Sequence, residues 1–172
     1  MIRIGIDLGG TKIEAVAMDA AGTIIGRQRI PAPQSYRGCL EAIAGLVQEI
    51  EQKHASNCPV GIGHPGSISP ATGLMRNANS TWLNGQPFAR DVQSALGRPV
   101  RLANDADCFT LAEAVDGAGE SAGIVFGIIL GTGVGGGIAI DGKLLRGAQG
   151  IAGEWGHNPL PWPNESDQPV AP

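Results

Sequence analysis

Ile6-Asp7-Leu8-Gly9-Gly10-Thr11-Lys12, running on to Ala15-Val16-Ala17-Met18-Asp19, is repeated later in the chain. The second copy is Ile128-Ile129-Leu130-Gly131-Thr132-Gly133-Val134-Gly135, running on to Ile138-Ala139-Ile140-Asp141. Leu8 matches Leu130, and Ala17 and Asp19 match Ala139 and Asp141, all at an offset of 122 residues. Each copy reads as strand, tight Gly/Thr turn, strand, Asp turn, strand. Glycines at a hairpin tip let backbone N–H groups come close to an anion, and a Thr hydroxyl adds a donor. Two such tips facing each other would hold a polyphosphate from two sides. The repeat therefore predicts a nucleotide clamp, with Gly9, Gly10, Thr11 and Lys12 on one side and Gly131, Thr132 and Gly133 on the other. Only the first copy has an acid before its turn, since Ile129 stands where Asp7 does. Mg²⁺ prefers few protein carboxylates, often through water, with phosphate oxygens completing its shell. Asp7 is the residue expected on the metal side. The alternative is a pair of unrelated glycine-rich hairpins in a small β-rich domain.

Outward from the first hairpin, residues 3–8, 13–18 and 23–30 read as three successive strands, and Pro31 and Pro33 break the sheet. Leu40, Ile43, Val47 and Ile50 recur at helical spacing, with Leu46 widening the stripe, so residues 36–54 are predicted helical. Residues 60–63 make a short buried strand running into His64-Pro65-Gly66-Ser67, followed by a long polar loop through Asn77, Asn79 and Asn84. Phe88, Val92 and Leu96 predict a brief helix ended by Gly97 and Pro99. A strand over 100–103 then leads to Asn104-Asp105 and a helix to Val115. The order implies an α/β fold, a mixed sheet with helices on its faces. Gly117-Ala118-Gly119-Glu120-Ser121 reads as the seam between two units, 1–118 and 119–172. The second unit repeats the strands without crossover helices, so the chain reads as incomplete.

The 172 residues suffice for one domain of ordinary size with a real core. A net charge of −4 argues against a basic nucleic-acid surface. No apolar run reaches membrane-spanning length, and no signal-like segment precedes the first strand. Cys39, Cys58 and Cys108 are isolated and odd in number, as expected of reduced thiols in a cytoplasmic protein. No partner nucleic acid or membrane is predicted. Gly131, Gly133 and Gly136 match the dinucleotide fingerprint, but that motif opens a helix and here a strand follows. Gly119-Glu120-Ser121-Ala122-Gly123 matches a nucleophile elbow in the wrong place, after a helix and before a strand.

Asp105 is the candidate catalytic residue. It lies at the carboxyl end of a strand, where open α/β sheets place ligands, and it begins a helix. A plain N-cap is the competing role. Asn104 beside it, with Gly66, Ser67, Asn79 and Asn84 upstream, makes an inventory suited to sugar hydroxyls. Phosphoryl transfer to such a hydroxyl needs mainly positioning and charge neutralisation, so a modest base suffices. Glu154 and His157, in Gly153-Glu154-Trp155-Gly156-His157, could accept from and donate to hydroxyls. His157 could equally be one ligand of a metal or a structural hydrogen-bonder.

Asp7-Leu8-Gly9-Gly10-Thr11-Lys12, Gly66, Asn104-Asp105, Gly131-Thr132-Gly133 and Gly153-Glu154-x-Gly156-His157 occur in the order that resembles the ROK family of repressors, open reading frames and kinases. The stretches Pro65 to Pro70 and Asn77 to Gly85 are most similar to its bacterial fructokinase (mannofructokinase) branch. The resemblance covers nearly all of this chain and about the first half of a family member. It implies an actin/hexokinase-like (ribonuclease H-like) fold of duplicated lobes, the second incomplete here. It also implies ATP-dependent phosphorylation of a hexose 6-hydroxyl, of fructose by the branch, with glucokinase, N-acetylglucosamine kinase or a non-catalytic sugar-sensing module as alternatives. By the resemblance, Asp105 is the base and the two hairpins are the phosphate loops. Gly66, Asn79, Asn104, Asp105, Glu154 and His157 bind sugar. ATP and Mg²⁺ are implied, with Zn²⁺ on His157 only in a longer form that supplies cysteines, and a homodimer at full length.

Overall fold

The computed structural model describes residues 1–54, 57–130, 133–156, 158, 162 and 164. The first hairpin forms as the repeat requires. Strands β1 (Arg3–Leu8), β2 (Lys12–Met18) and β3 (Ile24–Pro31) pair antiparallel in sequence order. Their period of two decides which side is core: Ile4, Ile6 and Leu8 are buried, while Arg3 and Asp7 on the other face of β1 are exposed. Helix α1 (Tyr36–Lys53) starts at Ser35, whose side chain accepts from the Gly38 N–H, and buries Cys39, Ile43, Leu46, Val47 and Ile50. Strand β4 (Val60–His64) joins β1 in parallel. Helix α2 (Phe88–Leu96) then returns the chain so that β7 (Val100–Asn104) joins β4 in parallel. The sheet order is β3-β2-β1-β4-β7, mixed as expected. Phe88, Val92 and Ile43 are wholly buried where α1 and α2 meet the sheet. Side chains of that size contribute about 1.5–3 kcal/mol each on burial.

The segment expected to be a long polar loop is more ordered than its composition suggests. It holds β5 (Ser67–Ile68) paired with β6 (Met75–Arg76), and a 3₁₀ turn at Thr81–Leu83. Asn84 closes it, accepting from the Ala78 N–H at 2.9 Å and donating to the Ala78 carbonyl at 3.0 Å. Two-residue strands carry no periodicity that a sequence pattern can reveal.

Helix α3 (Asp105–Asp116) leads to a second sheet of β8 (Ile124–Leu130), β9 (Val134–Ile140) and β10 (Lys143–Leu144), in the order β10-β9-β8. This repeats β3-β2-β1. Its second turn is Asp141-Gly142, both at positive φ (49° and 67°), the left-handed pair that suits a two-residue hairpin. Ala106, Thr110 and Ala114, four residues apart on α3, are buried on this sheet. They face glycines: a methyl on Gly135 would lie 3.2 Å from the Ala106 Cβ, and one on Gly137 would lie 3.2 Å from the Thr110 Cβ. Gly135, Gly136 and Gly137 thus lie within strand β9, and Gly135 and Gly137 form part of a seat for a helix. The opposite face of β8, with Ile124, Phe126, Ile128 and Leu130, is exposed. Among the described residues no helix is long and apolar enough to cross a membrane.

Candidate active site

Because β1, β4 and β7 run parallel, their carboxyl ends at Leu8, His64 and Asn104 share one sheet edge. Asn104 stops β7 and caps α3. Its Oδ1 accepts from the Ala106 N–H at 2.8 Å and the Asp107 N–H at 3.2 Å, and its Nδ2 donates to the Gly66 carbonyl at 2.9 Å. This separates the two roles proposed for Asp105. The cap belongs to Asn104, and Asp105 is the first helical residue, exposed, its Oδ1 accepting from the Ala106 N–H at 2.8 Å. Gly66 sits at φ +68°, where a methyl would also lie 2.7 Å from the Ala78 nitrogen, so no other residue fits that corner.

Asp7 ends the exposed row of β1 at the same edge. Partial burial first, then the Asp105 charge and Glu14, push its carboxyl above the ordinary carboxylate range, against the pull of Lys12 and Arg29. Burial, followed by Asp107, Asp105 and Asp7, pushes the Cys108 thiol up to about 11, so it stays protonated. Asp7, Asp105 and Asp107 thus lie close together at these strand ends, an arrangement that suits a cation. A lone carboxylate such as Asp7 suits Mg²⁺ completed by phosphate and water. Among the described residues no group of three or more His, Cys, Asp or Glu side chains is placed to hold a metal by itself.

In the first tip the Gly9 N–H donates to the Lys12 carbonyl at 3.0 Å. Gln34 donates to the Gly10 carbonyl at 3.1 Å, and the Ala32 N–H donates to the Thr11 carbonyl at 2.9 Å. The carbonyls are tied back, while the Gly10 and Thr11 N–H groups have no acceptor among the described residues, an arrangement open to an anion. Of the second tip, Gly131 and Thr132 lie outside the described residues. A methyl on Gly133 would lie 3.4 Å from the Asn79 Nδ2, and one on Gly10 would lie 3.3 Å from the Ser80 Oγ. Asn79 therefore lies near Gly133 and Ser80 near Gly10, Asn79 exposed and Ser80 buried. Ser67 and Asn84, counted among possible hydroxyl binders, are engaged within the protein, Ser67 by Arg76 and Asn84 by Ala78.

Glu154 is exposed and accepts from the Gly156 N–H at 3.2 Å. Its segment lies along β9, with the Trp155 Nε1 donating to the Gly135 carbonyl at 3.2 Å. Asp107, raised mainly by burial, also feels Arg146, Glu154 and Asp105, which brings the Glu154 segment and the start of α3 into one field. His157 lies outside the described residues. Two residues of this region escaped the sequence reading. His64 is 2% exposed, donates from Nδ1 to the Pro65 carbonyl at 3.1 Å, packs edge-on against Phe88, and is held neutral by burial. Arg76 bridges the β5–β6 hairpin to Gln149. A polar residue directly after an apolar strand was the available signal for the first; the second had none.

The ROK family model matches residues 3–169. An N-acetyl-D-glucosamine kinase of Salmonella typhimurium is 42% identical over 158 residues, 91% of this chain and 52% of that protein. A ROK family glucokinase from Streptomyces griseus, solved with glucose and AMPPNP, superposes with a TM-score of 0.81 at 35% identity. The match covers 92% of this chain and 50% of that one. A ROK hexokinase from Thermus thermophilus gives 0.79 at 33% identity, over 93% and 54%. The chain spans about half the length of the curated relatives it matches.

Proposed function

The chain belongs to the ROK family, and from that premise we propose that it supplies the sugar-holding and phosphate-holding part of an ATP-dependent kinase of a hexose or hexosamine. The carrying observation is the exposed Asp105 carboxylate at the head of α3, where Asn104 is the N-cap and Asp105 accepts, among the described residues, only from the Ala106 N–H, set in the same field as Asp7. Asp105 takes the proton from the sugar 6-hydroxyl as that oxygen attacks the γ-phosphorus of ATP. The bond to the β,γ-bridging oxygen breaks and ADP leaves. Gly66, Asn79, Asn104, Glu154 and His157 hold the other hydroxyls; Asn104 keeps one amide hydrogen after its bond to Gly66. Gly9, Gly10, Thr11 and Lys12, with Gly131, Thr132 and Gly133, hold the phosphates, for which the unengaged N–H groups of Gly10 and Thr11 are support. Asp7 holds Mg²⁺ through water, and that ion supplies neutralisation of phosphate charge. Residues 1–118 carry the sugar and first phosphate loops, and residues 119–172 carry the second.

The sugar is the finer part of the reading. The Asn-rich loop resembles that of fructose kinases, but the 42%-identical relatives are N-acetyl-D-glucosamine kinases and the glucokinase structure holds glucose. These favour an aldohexose, and we place N-acetyl-D-glucosamine first, glucose second and fructose third. The test is sugar-dependent ADP release with all three, alongside direct titration of each sugar. Asp105→Asn is expected to lower kcat by roughly 10²–10⁴, the usual contribution of a general base, with the ATP Kd unchanged. Near-normal turnover of that variant would remove Asp105 from the role.

A further inference from the structure

Arg76 connects two regions that the chain separates by 73 positions. Its Nε donates to the Ser67 Oγ at 3.0 Å, and its Nη2 donates to the Gln149 carbonyl at 2.7 Å. The base of this fork is firm: Ser67 is buried, and the β5–β6 register sets Ser67 directly opposite Arg76. The receiving segment is weakly held by itself. Its turns close through Gly150 N–H to Gly147 O and Ala152 N–H to Arg146 O, both at 3.4 Å, and Glu154 N–H to Ile151 O at 3.2 Å, all at or beyond the long end of the usual range. It leans on β9 through Gly153 and Trp155. Towards the β5–β6 hairpin, its described hydrogen bond is the one from Arg76. Gly150 otherwise comes near the Ile68 carbonyl and Pro70 there, a methyl on it falling 3.9 Å from that oxygen and 4.0 Å from the ring. A continuous path results. Asn104 holds Gly66, Ser67 follows and holds Arg76, and Arg76 holds Gln149, five residues before Glu154.

We propose that Arg76 is a positioning residue, a latch that fixes the Glu154 segment against the β5–β6 hairpin and thereby sets sugar affinity without touching sugar. The functional half rests on the reading of Gly66 and Glu154 as sugar-holding; the structural half does not. A planar guanidinium serves two acceptors in a fixed fork, whereas a lysine ammonium is a point donor on a flexible stem. Arg76→Lys should therefore restore part of what Arg76→Gln loses.

Hydrogen exchange on the full chain, with titrations of N-acetyl-D-glucosamine and of ATP, tests this in the parent, Arg76→Gln, Arg76→Lys and Ser67→Ala. Loss of one charge-assisted hydrogen bond at a solvent-exposed site should speed exchange in residues 147–156 roughly two- to tenfold in Arg76→Gln, less in Arg76→Lys, and not at all in β1 and β4. The sugar Kd should rise by a similar factor while the ATP Kd holds, a KM effect without a kcat effect where turnover is measured. Unchanged exchange in residues 147–156 of Arg76→Gln overturns the latch. If Arg76→Gln accelerates everywhere, its fold is loosened and Ser67→Ala decides: acceleration confined to 147–156 supports the latch and none overturns it. An equal rise in both Kd values overturns the link to sugar. Failure of the parent to bind sugar refutes the sugar-site reading, and exchange then decides the latch by itself.

Discussion

Replacing Gly127 with alanine tests the seat that aims Asp105. The added methyl would meet the Thr110 Oγ1, and would lie 2.9 Å from the Thr110 Cβ and 3.1 Å from its Cα, inside ordinary carbon contact. Thr110 cannot swing clear easily. It is wholly buried, its hydroxyl donates to the Ala106 carbonyl at 2.8 Å, and a β-branched side chain in a helix has few χ1 choices. Relief has to come from α3 lifting off β8 by several tenths of an ångström. Overpacking of this kind costs about 1–3 kcal/mol, and helix backbone as the obstacle puts Gly127→Ala in the upper half of that range. The assay is urea unfolding followed by circular dichroism and tryptophan fluorescence. With slopes of about 1–3 kcal/mol/M, the midpoint should fall by roughly 1 M at unchanged slope. Adding Thr110→Ala removes the nearest atom, so the double variant should recover part of the loss, with a coupling of about 0.5–3 kcal/mol. A Gly127→Ala protein within about 0.5 kcal/mol of the parent would refute the seat.

Two further outcomes follow from the polar side chains. Asn84→Ala loses both bonds to Ala78 and should destabilise the protein by about 1–3 kcal/mol while weakening sugar and nucleotide alike, whereas Asn79→Ala should leave the unfolding midpoint in place and weaken sugar alone; equal stability losses would sink the distinction. The Asp7 carboxyl has a folded pKa above its ordinary 3.8. The native state therefore binds that proton more tightly than the unfolded chain, and the ionised group destabilises the fold as pH rises from there through the folded value. Asp7→Asn should then be more stable than the parent near neutral pH and lose that advantage in acid below the unfolded pKa, while weakening Mg²⁺-dependent ATP binding. An advantage of equal size at both pH extremes, read by urea unfolding, would contradict the assignment.

Much of this was legible in the amino-acid order. The two hairpins, the alternation that buries Ile4, Ile6 and Leu8, the α1 stripe through Ile43, Val47 and Ile50, and the Asp141-Gly142 turn are all local matters. Period and turn chemistry record them within a few residues, and the motifs built on them identify the family. The tertiary structure alone decided which of Asn104 and Asp105 caps α3. It alone turned Asn84 inward to Ala78, seated Thr110 on Gly127 and Gly137, and brought Arg76 to Gln149. In each case the deciding partner is a single polar atom, or a missing side chain, whose place depends on where a distant strand lands. Periodicity records which face of an element is buried; it carries no information about which remote group a donor, an acceptor or a glycine will meet.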